Sequence, residues 1–346
     1  MTKRLIHLDI ARIVACFLVV VNHTAKASAI YMLTPGVQWL LAVVYYELCK
    51  VAVPLYVMIS GALLLRKIDA PGKLLTRIVR IAFDLVIFSA GYYAMEHWGA
   101  WDTGGFLGAL ATNNVCYAYW YLYMYLCLLI LMPLLQRGAA KLSNRALLGI
   151  CAGGIFAFGL VPQVLACAEL ASFDGWAGNL LWVNFVFVAL LGFWAENRLT
   201  ITTRTCHAAA CGLALMVAIE TLIIYATCVA HGGTHYMQID QGPFASYLIS
   251  ALCAFIIIKF ACEKRMARQP FSQRATTTLS ELSACTFGVY LIHVFFILAW
   301  EACVKAWCKT ALYPLGIVIA FELVVFVCAF VVSWVLRKIP GVKRVL

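Results

Sequence analysis

The chain has 346 residues, of which 64% are hydrophobic and only 12% are charged, whereas a soluble domain carries about 25% charged residues. Its mean hydropathy of +0.93 excludes an ordinary water-soluble protein, because a chain of this length could not hide so much apolar surface. The net charge of +11 does not indicate nucleic-acid binding, because the basic residues form short clusters between apolar runs and not one basic face.

Ten apolar segments each have nearly the length that a bilayer requires. We therefore predict an all-α, polytopic membrane bundle of about ten transmembrane helices, formed by residues 1–346 as a single domain. The stretches between the segments are too short to fold as soluble domains. The predicted spans are residues 5–25, 48–65, 80–97, 119–136, 146–165, 180–196, 207–230, 244–262, 284–302 and 314–336.

The distribution of lysine and arginine predicts how these spans are oriented. If the amino terminus lies inside, 21 of the 26 basic residues fall on the inner side and Arg12 falls within the first span. Basic residues collect on the cytoplasmic side of membrane proteins. Because ten is an even number, both termini are predicted to be cytoplasmic. The four basic residues left outside are Lys26, Lys50, Lys305 and Lys309.

The first span contains the strongest functional signal, since charged residues within a span are energetically costly. Asp9, Arg12 and His23 share one face. Eleven residues separate Arg12 from His23, which at about 100° per residue is only ~20° from three full turns, and Asp9 lies three residues before Arg12. Arg12 and His23 are about 16 Å apart along the helix axis. A long ligand could place an anionic end at Arg12 and a reactive end at His23, and the pantetheine arm of coenzyme A has about that reach. The alternative is that Arg12 pairs with Asp9 and extends to the inner interface, with His23 as a polar residue at the outer one.

Five sequence motifs, in order along nearly the whole chain, resemble the bacterial acyltransferase-3 family. That family's first helix carries an arginine, ten residues and then a histidine, as Arg12 and His23 do here. The five motifs are Leu8-Asp9-Ile10-Ala11-Arg12 with His23, the apolar Val53–Ile59 stretch ending in Ser60-Gly61, Arg77-Ile78-Val79-Arg80, Tyr119-Trp120-Tyr121-Leu122-Tyr123 and Phe287-Gly288-Val289-Tyr290-Leu291-Ile292-His293.

The resemblance implies a multi-pass enzyme of the bacterial inner (plasma) membrane. It would transfer an acyl group, usually acetyl, from cytoplasmic acyl-CoA to a hydroxyl of an envelope glycan, a lipid-linked sugar or a small acceptor. The length is similar to that of the short subgroup that includes the enterobacterial-common-antigen O-acetyltransferase. That subgroup often has a histidine two residues before the tryptophan of the fourth motif, where this chain has Ala118. A different acceptor or a different second catalytic group is therefore expected.

Roles at the site follow from the chemistry that acyl transfer requires. His23 is predicted to be the general base or the carrier of the acyl group, and Asp9, the other residue assigned to the catalytic group, is expected mainly to orient Arg12. Arg12 would bind the phosphates of CoA, since a guanidinium presents a planar fork of donors. Arg77 and Arg80 would add phosphate contacts at the inner mouth, with ordinary membrane anchoring as the alternative.

Residues predicted to bind substrate come from three later segments. A buried histidine such as His293 is costly without a partner, and it lies on one helical face with Tyr290. The alternative for Glu47 is a solvated outer rim, and for Trp120 and Tyr121 it is an interfacial aromatic belt. The alternative for His293 is a structural hydrogen bond. No metal is predicted, since His231 and His235 alone are too few ligands. The predicted substrate-binding residues are Glu47, Trp120, Tyr121, Tyr290 and His293.

Two other classes of protein fit a polar stripe across the first span. A transporter or flippase would use the stripe as a substrate path, although no convincing internal repeat is found. An amino-acid-binding module, similar to the membrane part of membrane-bound serine racemases, is the second alternative. Covalent acyl transfer would separate the enzyme from both.

Overall fold

The computed structural model describes residues 5–24, 36–168, 181–230, 244–307 and 315–344, and within these ranges the chain is helical and contains no strand. The all-α class predicted from composition is confirmed. The helices, in chain order, are α1 (Ile6–Thr24), α2 (Val37–Cys49), α3 (Ala52–Leu64), α4 (Pro71–Glu96), α5 (Thr103–Ala111), α6 (Trp120–Lys141), α7 (Asn144–Ile155), α8 (Val161–Cys167), α9 (Asn184–Asn197), α10 (Thr203–Ala230), α11 (Ala245–Arg268), α12 (Gln273–Trp307) and α13 (Leu315–Leu336). A π-helical turn (Phe156–Leu160) joins α7 to α8, and short 3-10 turns (Leu181–Val183 and Val342–Arg344) precede α9 and follow α13.

Eight helical segments of the described chain are long and apolar enough to cross a bilayer, which makes the protein a multi-pass membrane bundle. The predicted spans 80–97 and 180–196 also coincide with helices, α4 and α9, but neither is among the eight. Helix α4 carries several charged residues, and α9 has only 14 residues. Each of the ten predicted spans therefore overlaps a helix of the described chain, and two of these helices fall short of an ordinary span in composition or length.

The second crossing begins earlier than predicted. Helices α2 and α3 are separated only by a turn at Lys50 and Val51, and together they form one apolar segment of 28 residues, Val37–Leu64. The predicted start at residue 48 was wrong, because the preceding residues, Tyr45, Tyr46 and Glu47 among them, continue the apolar helix. All three lie within α2, where Tyr46 and Glu47 are buried.

One end of the bundle, called the basic end here, is held together by hydrogen bonds between helix junctions. Arg198, which follows α9, donates from Nη1 to the carbonyl of Leu142 at 2.8 Å and from Nη2 to the carbonyl of Ala139 at 2.6 Å. Gln136 of α6 donates to the carbonyl of Leu64 at 2.9 Å and accepts from the amide of Asp69 at 3.1 Å. The junctions 65–70, 142–143 and 198–202 therefore meet at the end predicted to face the cytoplasm.

Helices α3 and α9 pack with their backbones in close contact. A Cβ added to Gly61 would lie 1.9 Å from the carbonyl oxygen of Ala189, and one added to Gly192 would lie 2.1 Å from that of Met58. Small residues allow this approach between membrane helices. The contact makes α3 and α9 a central pair of the bundle, on which α1, α7 and α11 pack.

Candidate active site

Helix α1 lies side by side with α12, and the stripe predicted on α1 faces that helix. Arg12 Nη1 lies 3.4 Å from Ser283 Oγ at the basic end, and Cys16 Sγ lies 3.5 Å from the carbonyl oxygen of Thr286. Both helices run away from the basic end, so the register that pairs Arg12 with Ser283 also brings His23 to His293. The stripe is thus one wall of a helix interface, with charged residues at one end and histidines at the other.

His23 and His293 form the group at the end opposite the basic end. Their ring centroids are 5.1 Å apart and their planes are inclined by 31°. Tyr117, in the segment before α6, packs edge-on against His23, with the two ring centroids 5.1 Å apart. His293 is fully buried, whereas His23 is half-buried and can be reached by a ligand.

The tautomer of His293 follows from its hydrogen bond. Nδ1 lies 2.7 Å from the carbonyl oxygen of Tyr290. Because a carbonyl oxygen only accepts, Nδ1 carries the hydrogen and the neutral ring has its lone pair on Nε2. Among the residues that the structure describes, Nε2 has no hydrogen-bond partner. A buried imidazole nitrogen with an unused lone pair is a free hydrogen-bond acceptor beside the His23 ring.

Tyrosine rings continue from the histidines toward the basic end. The ring of Tyr290 lies 5.6 Å from that of Tyr121, which stacks on Tyr125 at 5.7 Å and lies 6.3 Å from Tyr56. The Tyr125 hydroxyl lies 3.4 Å from Ser60 Oγ. The sequence predicted Tyr121 and Tyr290 as substrate-binding residues, and the structure places both in this aromatic wall beside the stripe of α1.

At the basic end, the guanidinium of Arg12 is 31% exposed and lies 3.9 Å from Asp9 Oδ1. Its remaining donors are available to an anionic ligand. Asp9 lies fourteen residues before His23 on α1, or about 21 Å along the axis. The structure therefore groups Asp9 with Arg12 and away from the histidines, as expected for a residue that orients the guanidinium.

The two other predicted arginines lie on α4. Arg77 Nη1 forms an ion pair with Asp69 Oδ2 at 2.5 Å, and Arg80 is exposed one turn further along. Arg77 thereby ties the start of α4 to the preceding loop, which favours the anchoring alternative for this residue.

Two other predicted residues are brought to different parts of the bundle. Glu47 is buried in the last turn of α2, so a solvated rim does not describe it. Two residues further on, Cys49 Sγ lies 3.6 Å from Asn22 Oδ1, which sets this turn beside the end of α1 that carries His23. Trp120 packs against Trp182 at 5.0 Å and Phe185 at 5.9 Å, and its ring also lies 6.3 Å from that of Tyr121, at the edge of the tyrosine wall.

Sequence reasoning missed two buried charged groups next to α1. The carboxylate of Glu196 lies 2.7 Å from His7 Nε2 and 3.2 Å from Lys259 Nζ, which ties α1 to α9 and α11. Glu322 of α13 is fully buried and accepts a hydrogen bond of 2.6 Å from the Tyr45 hydroxyl. Each could have been singled out as a charged residue in an apolar run, but its partners are remote in sequence.

No cluster of three potential metal ligands occurs among the described residues, and His231 and His235 lie outside them. No solved structure and no curated protein shows a significant match to the chain. The family model of the acyltransferase domain matches residues 5–338. This range includes both ends of the α1 stripe and the buried His293. The chain belongs to the acyltransferase-3 family and is a membrane acyltransferase.

Proposed function

We propose that the protein transfers an acyl group, in the simplest case acetyl, from cytoplasmic acyl-CoA to a hydroxyl group of an envelope glycan, a lipid-linked sugar or a small acceptor. The observation that carries this proposal is the arrangement on α1, with an anion-binding arginine at one end and a histidine beside a second, buried histidine at the other. A bacterial plasma membrane, with the basic end in the cytoplasm, is the setting that fits it.

The donor is assigned to the basic end because CoA is polyanionic. Arg12 offers a partly exposed guanidinium that Asp9 and Ser283 hold in place. From there to His23 the helix rises about 16 Å, and the pantetheine arm can cover this distance along the tyrosine wall. The thioester would then lie near the histidines while the nucleotide stays at the basic end.

The reaction itself exchanges a thioester for an ester. His23 accepts the proton of the acceptor hydroxyl as its oxygen attacks the thioester carbonyl, the C–O bond forms and the C–S bond breaks, and the departing thiolate takes the proton from His23. In a two-step variant, a His23 nitrogen first takes the acyl group and then passes it to the hydroxyl. His293 is a positioning residue here, whose neutral ring lies against that of His23.

The acceptor side of the proposal depends on residue 118. Ala118 lies next to the site, because its carbonyl accepts a hydrogen bond from the Tyr290 hydroxyl. A histidine in this place would lie close to Tyr290 and so near the rings of His23 and His293. Its absence supports an acceptor other than that of the short subgroup with which the chain shares its length.

The deciding experiment incubates purified wild-type protein and His23→Ala with radiolabelled acetyl-CoA, with and without envelope-glycan extract. Label that reaches glycan or protein only in the wild type supports the proposal, and label on the protein alone identifies the two-step route. His97→Ala is the matched control, since His97 lies beyond the end of α4 and stacks on Tyr93. If the wild-type protein neither transfers label nor hydrolyses or binds acetyl-CoA, the proposal fails and transport or amino-acid binding takes its place.

Arg12→Ala is expected to raise the KM for acyl-CoA by about 10- to 100-fold, with a smaller change in kcat, because it removes charge-assisted contacts to phosphate far from the reacting carbonyl. Steady-state kinetics with varied donor measures this. Arg77→Ala should leave KM nearly unchanged if Arg77 only anchors α4. A collapse of kcat with an unchanged KM in Arg12→Ala would contradict the phosphate role.

A further inference from the structure

A long apolar groove lies on the side of the bundle away from α12. It is formed by α7, the π-helical turn, α8, α10 and α11, and has a volume of about 930 Å³. Lining residues run from Leu148 on α7 to Ala168, which follows α8. This wall is about 30 Å long at 1.5 Å per residue, the thickness of the hydrocarbon core of a bilayer. A groove of this length and lining fits a hydrocarbon chain.

Three buried polar side chains stand at one end of this otherwise apolar groove. Gln163 of α8 donates from Nε2 to Glu220 Oε1 and, at 3.1 Å, to Ser246 Oγ, and Ser246 donates to the same carboxylate oxygen. Gln163, Glu220 and Ser246 are each at most 5% exposed. Polar groups at this depth are costly in a membrane and indicate a functional site. The adjoining π-helical turn is a distortion that often accompanies one.

Gln163 leaves one hydrogen-bonding group for a ligand. Both hydrogen bonds of its amide come from Nε2, and the structure gives Oε1 no partner among the described residues. Gln163 and Ser246 both line the groove. An amide oxygen can only accept, so the polar end of the groove calls for a ligand with a hydroxyl or N–H donor. The carboxylate of Glu220 behind it disfavours an anionic group such as a phosphate.

The polar end of the groove lies at the same end of the bundle as His23. Ser246 is followed by Tyr247, whose ring centroid lies 6.0 Å from Lys50 Nζ. Lys50 directly follows α2, whose last residue, Cys49, contacts Asn22 beside His23. A headgroup held at Gln163 would thus be separated from the histidines by the start of α11 and the turn between α2 and α3.

We infer that this groove binds the hydrocarbon chain of a lipid whose headgroup carries hydroxyl donors, and that Gln163 accepts a hydrogen bond from that headgroup. The inference follows from the groove and its polar end alone, so it does not depend on acyl transfer.

The test uses the protein in phospholipid nanodiscs and two photoactivatable probes with the same diazirine-bearing alkyl chain, an alkyl glucoside and an alkyl phosphate. Cross-linked peptides are located by mass spectrometry. In the wild type, the glucoside should label residues 148–168 more strongly than the phosphate does. Gln163→Leu should lower glucoside labelling about three- to tenfold, as expected for one hydrogen bond, and leave phosphate labelling unchanged.

Ala152→Trp, which fills the groove, should abolish labelling of this segment by both probes. Ala320→Trp on α13 is the matched control, since Ala320 is also exposed and α13 packs on α1 and α12, and it should change neither. Equal labelling of the wild type by both probes would reduce the groove to ordinary lipid contact and overturn the inference. Glucoside labelling that persists in Ala152→Trp would also overturn the inference. The assay needs no acyl donor, so its outcome is independent of whether acyl transfer occurs.

Discussion

His293 shows how much one hydrogen bond can decide at the scale of a residue. The bond from Nδ1 to the Tyr290 carbonyl fixes the ring, and burial keeps water from Nε2. The sequence singled out His293 because a histidine in an apolar run is costly without a partner. It did not reveal that the neighbour is His23, because the two residues are 270 positions apart and only the register between α1 and α12 joins them.

His293→Asn is expected to lower kcat about 10²- to 10³-fold with little change in the KM for acyl-CoA. The asparagine amide can still donate to the Tyr290 carbonyl, but it removes the imidazole that lies against His23. Steady-state kinetics of purified protein measures both constants. His97→Asn is the control, because His97 Nδ1 lies 3.1 Å from the Tyr93 carbonyl oxygen in a comparable arrangement. A parallel loss of activity in both variants would show that the effect is structural.

Asp69 gives the basic end a dependence on pH. Its burial by itself raises the pKa of the carboxyl, but hydrogen bonds from Arg77 and Lys73 and their positive charges outweigh that effect and hold the pKa below its ordinary value. A carboxyl with a lowered pKa in the folded state contributes stability above the pKa of the unfolded chain. This contribution is lost as the pH falls through the folded-state pKa.

Asp69→Asn should therefore lower the melting temperature at neutral pH and flatten its decline on acidification. Thermal unfolding in detergent, measured from pH 7 down to about pH 3, spans the ordinary pKa of aspartate near 3.9. Asp102→Asn is a suitable comparison, since Asp102 caps α5 through backbone amides and has no basic partner in that cap. If the melting temperature falls with pH equally steeply in the wild type and in Asp69→Asn, the ion pair does not contribute to the stability.

At the scale of an element, the contact between α3 and α9 is the least tolerant in the described bundle, because its atoms are backbone atoms that cannot turn aside. The sequence marked Ser60-Gly61 as the end of a family motif and did not identify its packing partner, which is the stretch around Ala189. Helix α9 was predicted at nearly its observed bounds. Helix α2 was not, because aromatic and acidic residues near its end resemble an interfacial margin.

Gly61→Ala should destabilise the protein by about 1–3 kcal/mol. The new methyl group would clash with the Ala189 carbonyl oxygen, 1.9 Å away, so the two helices would have to separate. Gly149→Ala on α7 is the matched control, because nothing lies within 4 Å of the added Cβ and alanine is the better helix former. Thermal unfolding should therefore show a lower melting temperature only for Gly61→Ala. Equal melting temperatures would mean that the close approach is not maintained in the membrane.

At the scale of the whole molecule, the positive-inside rule predicts which end of the bundle faces the cytoplasm, and this is testable in intact cells. Trp98→Cys, beyond the end of α4, should react with a membrane-impermeant maleimide added outside, whereas Ile68→Cys at the basic end should react only after the cells are opened. Both positions are strongly exposed, at 89% and 60%. The wild-type protein provides the background from native cysteines. Labelling of Ile68→Cys alone in intact cells would show that the orientation is the reverse of the predicted one.

Composition and charge thus predict the class of molecule and its helices well, since both depend on sums over many residues. The site is less predictable. Arg12 and His23 share one helix, so their spacing could be read directly. The cluster of His7, Glu196 and Lys259, and that of Gln163, Glu220 and Ser246, each join helices that are far apart in sequence, and no local pattern specifies such contacts.

The stripe of α1 between Arg12 and His23 also has an electrical consequence. Its middle is formed by Val19 and Val20, both at most 4% exposed. An uninterrupted line of hydrogen-bonding groups across an energised membrane would conduct protons, and each proton that leaks dissipates about 2.3 kcal/mol per 100 mV. The apolar middle of α1 breaks that line along the helix. If the proposed function is correct, this break lets the two ends of one helix serve donor and acceptor on opposite faces of the membrane while the proton gradient is preserved.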